Sequence, residues 1–206
     1  MSYPKFWTES ELEKLESLYN SGLSMREVGI SYGKSLQAIV SAMKRHHIAR
    51  RPASTTRTYQ FSKSPLSFNV KQNLNQQEVH LKVAGLMLYW GEGAKSPNGQ
   101  VNFANTDPDL ITLFLRFLRK IYAPKESRLR CHLYCFSNQS LNHEIEYWSR
   151  LTNIPKHQFI KPYVAKPKEQ KHVKITHGVC HIVYSDTRLL AQILRDIKTQ
   201  AQHLMS

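Results

Sequence analysis

A single carboxylate, Glu92, stands between Gly91 and Gly93 at the end of the apolar run from Leu81 to Trp90. A charge closing a run that dense needs a partner, because an unpaired ion is expensive to remove from water. The other donor side chains do not assemble by spacing. Cys131 and Cys135 lie four apart in a strand-like run, about 13 Å at roughly 3.3 Å per residue, whereas two ligands of one zinc sit about 4–5 Å apart at most. With Cys180-His181 they read as buried thiols in a reducing compartment and not as a zinc centre. His46, His47, His177 and His181 are scattered, and none has the spacing of a metalloprotease or of a nucleophile's base. Gly91-Glu92-Gly93 is too short for a nucleotide loop.

The charge balance points to the partner. Of 206 residues, 29 are Lys or Arg and 15 are Asp or Glu, for a net +14. Such an excess favours a polyanion, nucleic acid first and an anionic membrane surface second. At 41% apolar and 10% aromatic the chain can build a core. No apolar run approaches the roughly 20 residues that span a bilayer, and the start Met1-Ser-Tyr-Pro lacks a signal-peptide profile. The expected location is intracellular: cytoplasm, nucleoid or an organelle.

Residues 1–52 read as a small all-α domain. Thr8-Glu-Ser-Glu11 and Ser24-Met-Arg-Glu27 are capping boxes, and Ser35 caps a third helix from Leu36 to about His47. Leu36, Ile39, Val40 and Met43 form its inward stripe, leaving Gln37, Ser41, Lys44 and Arg45 outward. An amide, a hydroxyl and two cations on one face suit a major-groove reader, on a helix-turn-helix plan with a glycine turn at Tyr32-Gly33. No Asp or Glu occurs from Val28 to Gln77. Residues 53–77 read as a basic, polar linker, extended in form, and Arg50, Arg51 and Arg57 would follow phosphates or enter a minor groove. The pattern Trp7-Thr8…Gly22-Leu-Ser24…Gly33-Lys-Ser35…Lys44-Arg45 resembles the helix-turn-helix modules attached to resolvases and cell-cycle regulators.

Residues 78–206 alternate helix and strand: the motif helix, a strand over 100–105, a helix from Thr106-Asp-Pro-Asp109 to Ile121, and a strand over 127–136. A helix over 141–151, strands over 159–164 and 173–184, and a closing helix from Arg188 follow. This predicts an α+β domain with helices on one face of a mainly antiparallel sheet. Alternation in 127–136 puts Arg128, Arg130 and His132 on the other face, and Lys161, Lys166, Lys168 and Lys171 extend the basic surface toward duplex DNA.

The run Leu81–Ser96 resembles the motif helix of the LAGLIDADG homing endonucleases, with Gly91-Glu92-Gly93 matching the Ala-Asp-Gly that closes that motif. Glu stands for Asp, and Met87 falls where the family has its helix-contact glycine. The resemblance covers about 120 residues, to about Ile197, and implies an αββαββα saddle. It further implies homodimerisation through Ala84, Gly85 and Leu88, with Glu92 as the Mg²⁺ ligand. Two such carboxylates about 4 Å apart would repel by about 4 kcal/mol at an effective dielectric of 20, which a divalent cation reverses. Lys95 and Lys174 are candidates to stabilise the charge that develops on a phosphodiester. The expected activity is sequence-specific double-strand DNA cleavage. The alternatives are a non-catalytic transcriptional regulator of the same architecture and a structured-RNA binder.

Overall fold

The computed structural model describes residues 7–96, 99–166 and 176–205. Lys168, Lys171 and Lys174 lie outside the described residues. The chain divides into two compact units, before and after the Pro65–Leu66 junction.

The smaller unit holds α1 (Glu9–Asn20), α2 (Met25–Ser31), α3 (Leu36–Arg45) and α4 (Ala53–Lys63). Both capping boxes form, Thr8 with Glu11 and Ser24 with Glu27. Ser35 Oγ accepts from Ala38 N at 3.2 Å to start α3. Gly33 turns the chain between α2 and α3 at φ +59, a left-handed conformation that costs other residues energy. Leu15, Tyr19, Val28, Ile39, Ala42 and Met43 form the core. Leu36 departs from its expected inward place and is 42% exposed, at the first position of α3.

The segment expected as an extended linker is structured. Its first part is α4, whose Tyr59 ring lies so close to Gly22 that an added Cβ would be 2.7 Å from it. Its later part belongs to the larger unit. Asn69 N and Lys71 N bond to the carbonyls of Tyr122 and Ile121 at 2.9 and 2.8 Å, and Phe68, Val70 and Leu74 pack into the core. Three apolar residues in a polar stretch are a weak pattern, so only tertiary burial reveals this strap.

The larger unit continues with α5 (Gln76–Glu92), β1 (Val101–Asn105), α6 (Pro108–Phe117), β2 (Leu129–Phe136), α7 (Leu141–Thr152), β3 (Phe159–Ala165), β4 (Val179–Tyr184) and α8 (Thr187–Met205). It is mixed α+β with one four-stranded sheet in the order β1-β4-β2-β3. The pairs β1/β4 and β4/β2 are antiparallel, and β2/β3 are parallel.

The order αββαββα expected from the resemblance is not the order found. Gly93 bridges Phe103 and gives only a rudimentary first hairpin, while α7 intervenes between β2 and β3. A crossover helix returns the chain to the same end of the sheet, so those strands run parallel. Phe103, Phe114, Phe117 and Tyr122 form a continuous aromatic core, with Phe103 and Phe114 rings 4.4 Å apart. All three cysteines are free and buried, as expected of thiols in a core.

Candidate nucleic-acid interface and acidic site

Strand alternation sets which side chains reach the helix-free sheet face. In β2, Leu129, Cys131, Leu133 and Cys135 are buried, which turns Arg130, His132, Tyr134 and Phe136 outward. Register aligns His132 with His181 of β4 and with Ile160 of β3, and Tyr134 with Tyr163. Their rings cluster: Tyr134 to His181 at 4.4 Å, His132 to Tyr134 at 4.8 Å, and Tyr134 to Tyr163 at 5.4 Å. Tyr134 and Tyr163 are 40% and 58% exposed. Burial, then repulsion from His132, lowers the His181 pKa and keeps its imidazole neutral near pH 7.

This face is more aromatic and less cationic than alternation alone predicts. Arg128 lies in a 3-10 turn before β2, where its guanidinium sits over the Tyr184 ring at 5.6 Å and donates to Ser185 O. Arg130 Nη1 folds back onto the carbonyls of Ser127 and Leu129, both at 2.8 Å. Lys161 stands exposed in an irregularity of edge strand β3, which sets Lys161 and Pro162 opposite Leu133, and Lys166 is exposed at the end of that strand.

In the smaller unit Gln37, Ser41, Lys44 and Arg45 are all exposed along α3, as are Arg50 before α4 and Arg57 within it. Arg51 is different. Its guanidinium lies 4.1 and 4.9 Å from the Tyr19 and Tyr59 rings, and Nη2 donates to Leu23 O at 2.6 Å. These contacts make it a brace between α1 and α4.

The acid is the last residue of α5 and is exposed. Tyr89, one turn earlier, fixes this end: its hydroxyl donates to Ala94 O at 2.7 Å, and an added Cβ on Gly93 would be 2.5 Å from its ring. Burial pushes the Tyr89 phenol up to about 12. Lys95 Nζ donates to Gly93 O at 3.1 Å, beside Glu92 in the chain. Ala84 is exposed and Leu88 half-buried, two turns and one turn behind Glu92 on the same stripe. Gly85 does not share that stripe. It is buried, and an added Cβ would be 2.1 Å from Phe117 Cγ, so its smallness serves the chain's own core. A shift of one residue along a helix rotates it by about 100°, enough to turn it from the outer to the inner face.

One cluster escapes sequence reading altogether. His143, Glu144 and His177 bring donor atoms within 4.8 Å of one another. Glu144 and His143 are neighbours on α7, but His177 arrives only with the turn before β4. The adjacent His-Glu pair is the one signal in the chain, and it is far too common to name a site. Among the described residues, no helix is long and apolar enough to cross a membrane. No protein-family model, no curated protein and no solved structure matches this chain.

Proposed function

We propose that the chain is a sequence-specific DNA endonuclease of the homing type, working as a homodimer with Mg²⁺. The observation that carries this reading is the outer face of α5. Ala84 is exposed and Leu88 half-buried at helical spacing, and their stripe ends on the exposed Glu92. An apolar helix face left open in one chain is suited to the same face of a twin, which would bring two Glu92 side chains together.

A hard, exposed carboxylate fits Mg²⁺, which binds through one or two carboxylates together with water and phosphate oxygens. Bound there, Mg²⁺ would polarise the phosphodiester and favour hydroxide as nucleophile. Glu92 would hold the ion, and Lys95 would add positive charge beside it. The smaller unit would read a flanking site through Gln37 and Ser41, with Lys44, Arg45, Arg50 and Arg57 on phosphates. The open face of the sheet, with Arg130, His132, Tyr134 and Lys161, would lie over the central site.

A second reading has its own support. Among the described residues Glu92 belongs to no group of three metal-ligating side chains, which favours a regulator of the same architecture that binds DNA without cutting it. Plasmid carrying the DNA that flanks the gene separates them. Wild type with Mg²⁺ should linearise it, while EDTA or Glu92→Gln should abolish cleavage and leave gel-shift affinity intact. DNA binding by wild type with no cleavage under Mg²⁺ would replace the nuclease with the regulator.

A further inference from the structure

We propose that His143, Glu144 and His177 form a binding site for a borderline divalent transition ion of the Zn²⁺ class, separate from Glu92. Two imidazoles and one carboxylate are a donor set that selects such ions over Mg²⁺ or Ca²⁺. The geometry is close to what one ion needs. His177 Nδ1 is 2.8 Å and His143 Nδ1 3.3 Å from the two oxygens of Glu144, and one donor atom from each of the three lies within 4.8 Å of the others. Tetrahedral zinc, with bonds of about 2.0–2.1 Å, holds its ligand atoms about 3.3 Å apart, inside that range.

Burial and support distinguish this trio from an ordinary surface contact. The Glu144 side chain is only 5% exposed, so its charge needs a strong partner. His177 is held on three sides: its ring stacks on Tyr147 at 3.7 Å and 9°, and its carbonyl accepts from Trp148 Nε1 at 2.7 Å. The preceding carbonyl, of Thr176, accepts from Gln139 Nε2 at 2.9 Å. Gly178 completes the turn at φ +68, with an added Cβ 2.5 Å from Tyr134 O, so the chain passes where only glycine fits. Outer contacts that orient a ligand in this way commonly change metal affinity by about 10–100-fold. His143, by contrast, is 65% exposed and borders a surface hollow shared with Tyr147 and Arg150, which gives the ion an entry path. Three protein ligands leave a coordination position for water on that side. The ion ties α7 to the turn that leads into β4.

The test uses the full chain, stripped of metal and titrated with Co²⁺ as a visible probe. Wild type should bind one Co²⁺ per chain with the absorption of a four- or five-coordinate site, displaced by Zn²⁺ and not by excess Mg²⁺. His143→Ala, at the exposed ligand, should weaken binding by at least about 10-fold. His177→Asn should abolish it, with circular dichroism confirming that both variants fold. His181→Asn, on the open sheet face, should bind like wild type. Failure of wild type to bind Co²⁺ saturably, or equal affinity in wild type and His143→Ala, would reduce the trio to a hydrogen-bonded His–Glu contact and overturn the site.

Discussion

Replacing Gly85 with alanine tests whether this glycine serves the core of one chain or a contact between two. A Cβ at Gly85 would lie 2.1, 2.4 and 2.6 Å from Phe117 Cγ, Cδ2 and Cβ, all inside any real carbon contact. Phe117 has no room to yield: it is fully buried, with Phe114 at 6.0 Å and Tyr122 edge-on at 5.4 Å. Overpacking costs about 1–3 kcal/mol, and an overlap with three atoms of one immobile side chain belongs at the upper end, about 3 kcal/mol. Alanine returns about 1 kcal/mol through its higher helix propensity. The net loss is therefore about 2 kcal/mol, and in a chain of this size it lowers Tm by about 4–8 °C. Urea and thermal unfolding of the full chain, followed by circular dichroism, measure it. Gly91→Ala is the control, since nothing lies within 4 Å of the added carbon; it should be neutral or gain up to about 1 kcal/mol. Undiminished stability of Gly85→Ala would refute the packing argument. A loss seen only on dilution would put Gly85 back at a contact between chains.

Further expectations follow from the same geometry. Ala84→Glu, exposed on the outer stripe of α5, should abolish self-association in sedimentation velocity without changing the fold; an unaltered dimer would move the interface elsewhere. Burial by itself raises the Asp186 carboxyl, but hydrogen bonds from Arg188, Ser67 Oγ and Arg188 N outweigh it and leave the group below the ordinary aspartate range. A depressed folded-state value gives stability that is full above the unfolded value, about 3.9, and lost as pH falls through the folded one. Asp186→Asn should therefore cost about 3 kcal/mol at neutral pH and flatten the acid dependence of urea midpoints below about pH 4. Arg51→Lys should destabilise the smaller unit by about 2 kcal/mol, because an ammonium cannot stack between two rings and still reach Leu23 O. Weaker DNA binding at unchanged stability would instead return Arg51 to the DNA surface.

Local chemistry made most elements legible in the chain itself. Capping boxes at Thr8 and Ser24, the Asp107-Pro108 start of α6 and the period-two pattern of β2 act over three or four neighbours, and the elements start where those residues are. The charge excess and the lone acid after an apolar helix are also properties of order in the chain. Pairing is not. Whether Gly85 faces inward depends on where Phe117 comes to rest, and Arg51 is a brace because two tyrosines from α1 and α4 close on it. The strap of Phe68, Val70 and Leu74 reads as polar linker until the core accepts those three side chains. His177 reaches Glu144, 33 positions earlier, through the turn that feeds β4 into the centre of the sheet. Contacts between residues far apart in the chain are set by packing of whole elements, and no spacing rule encodes them.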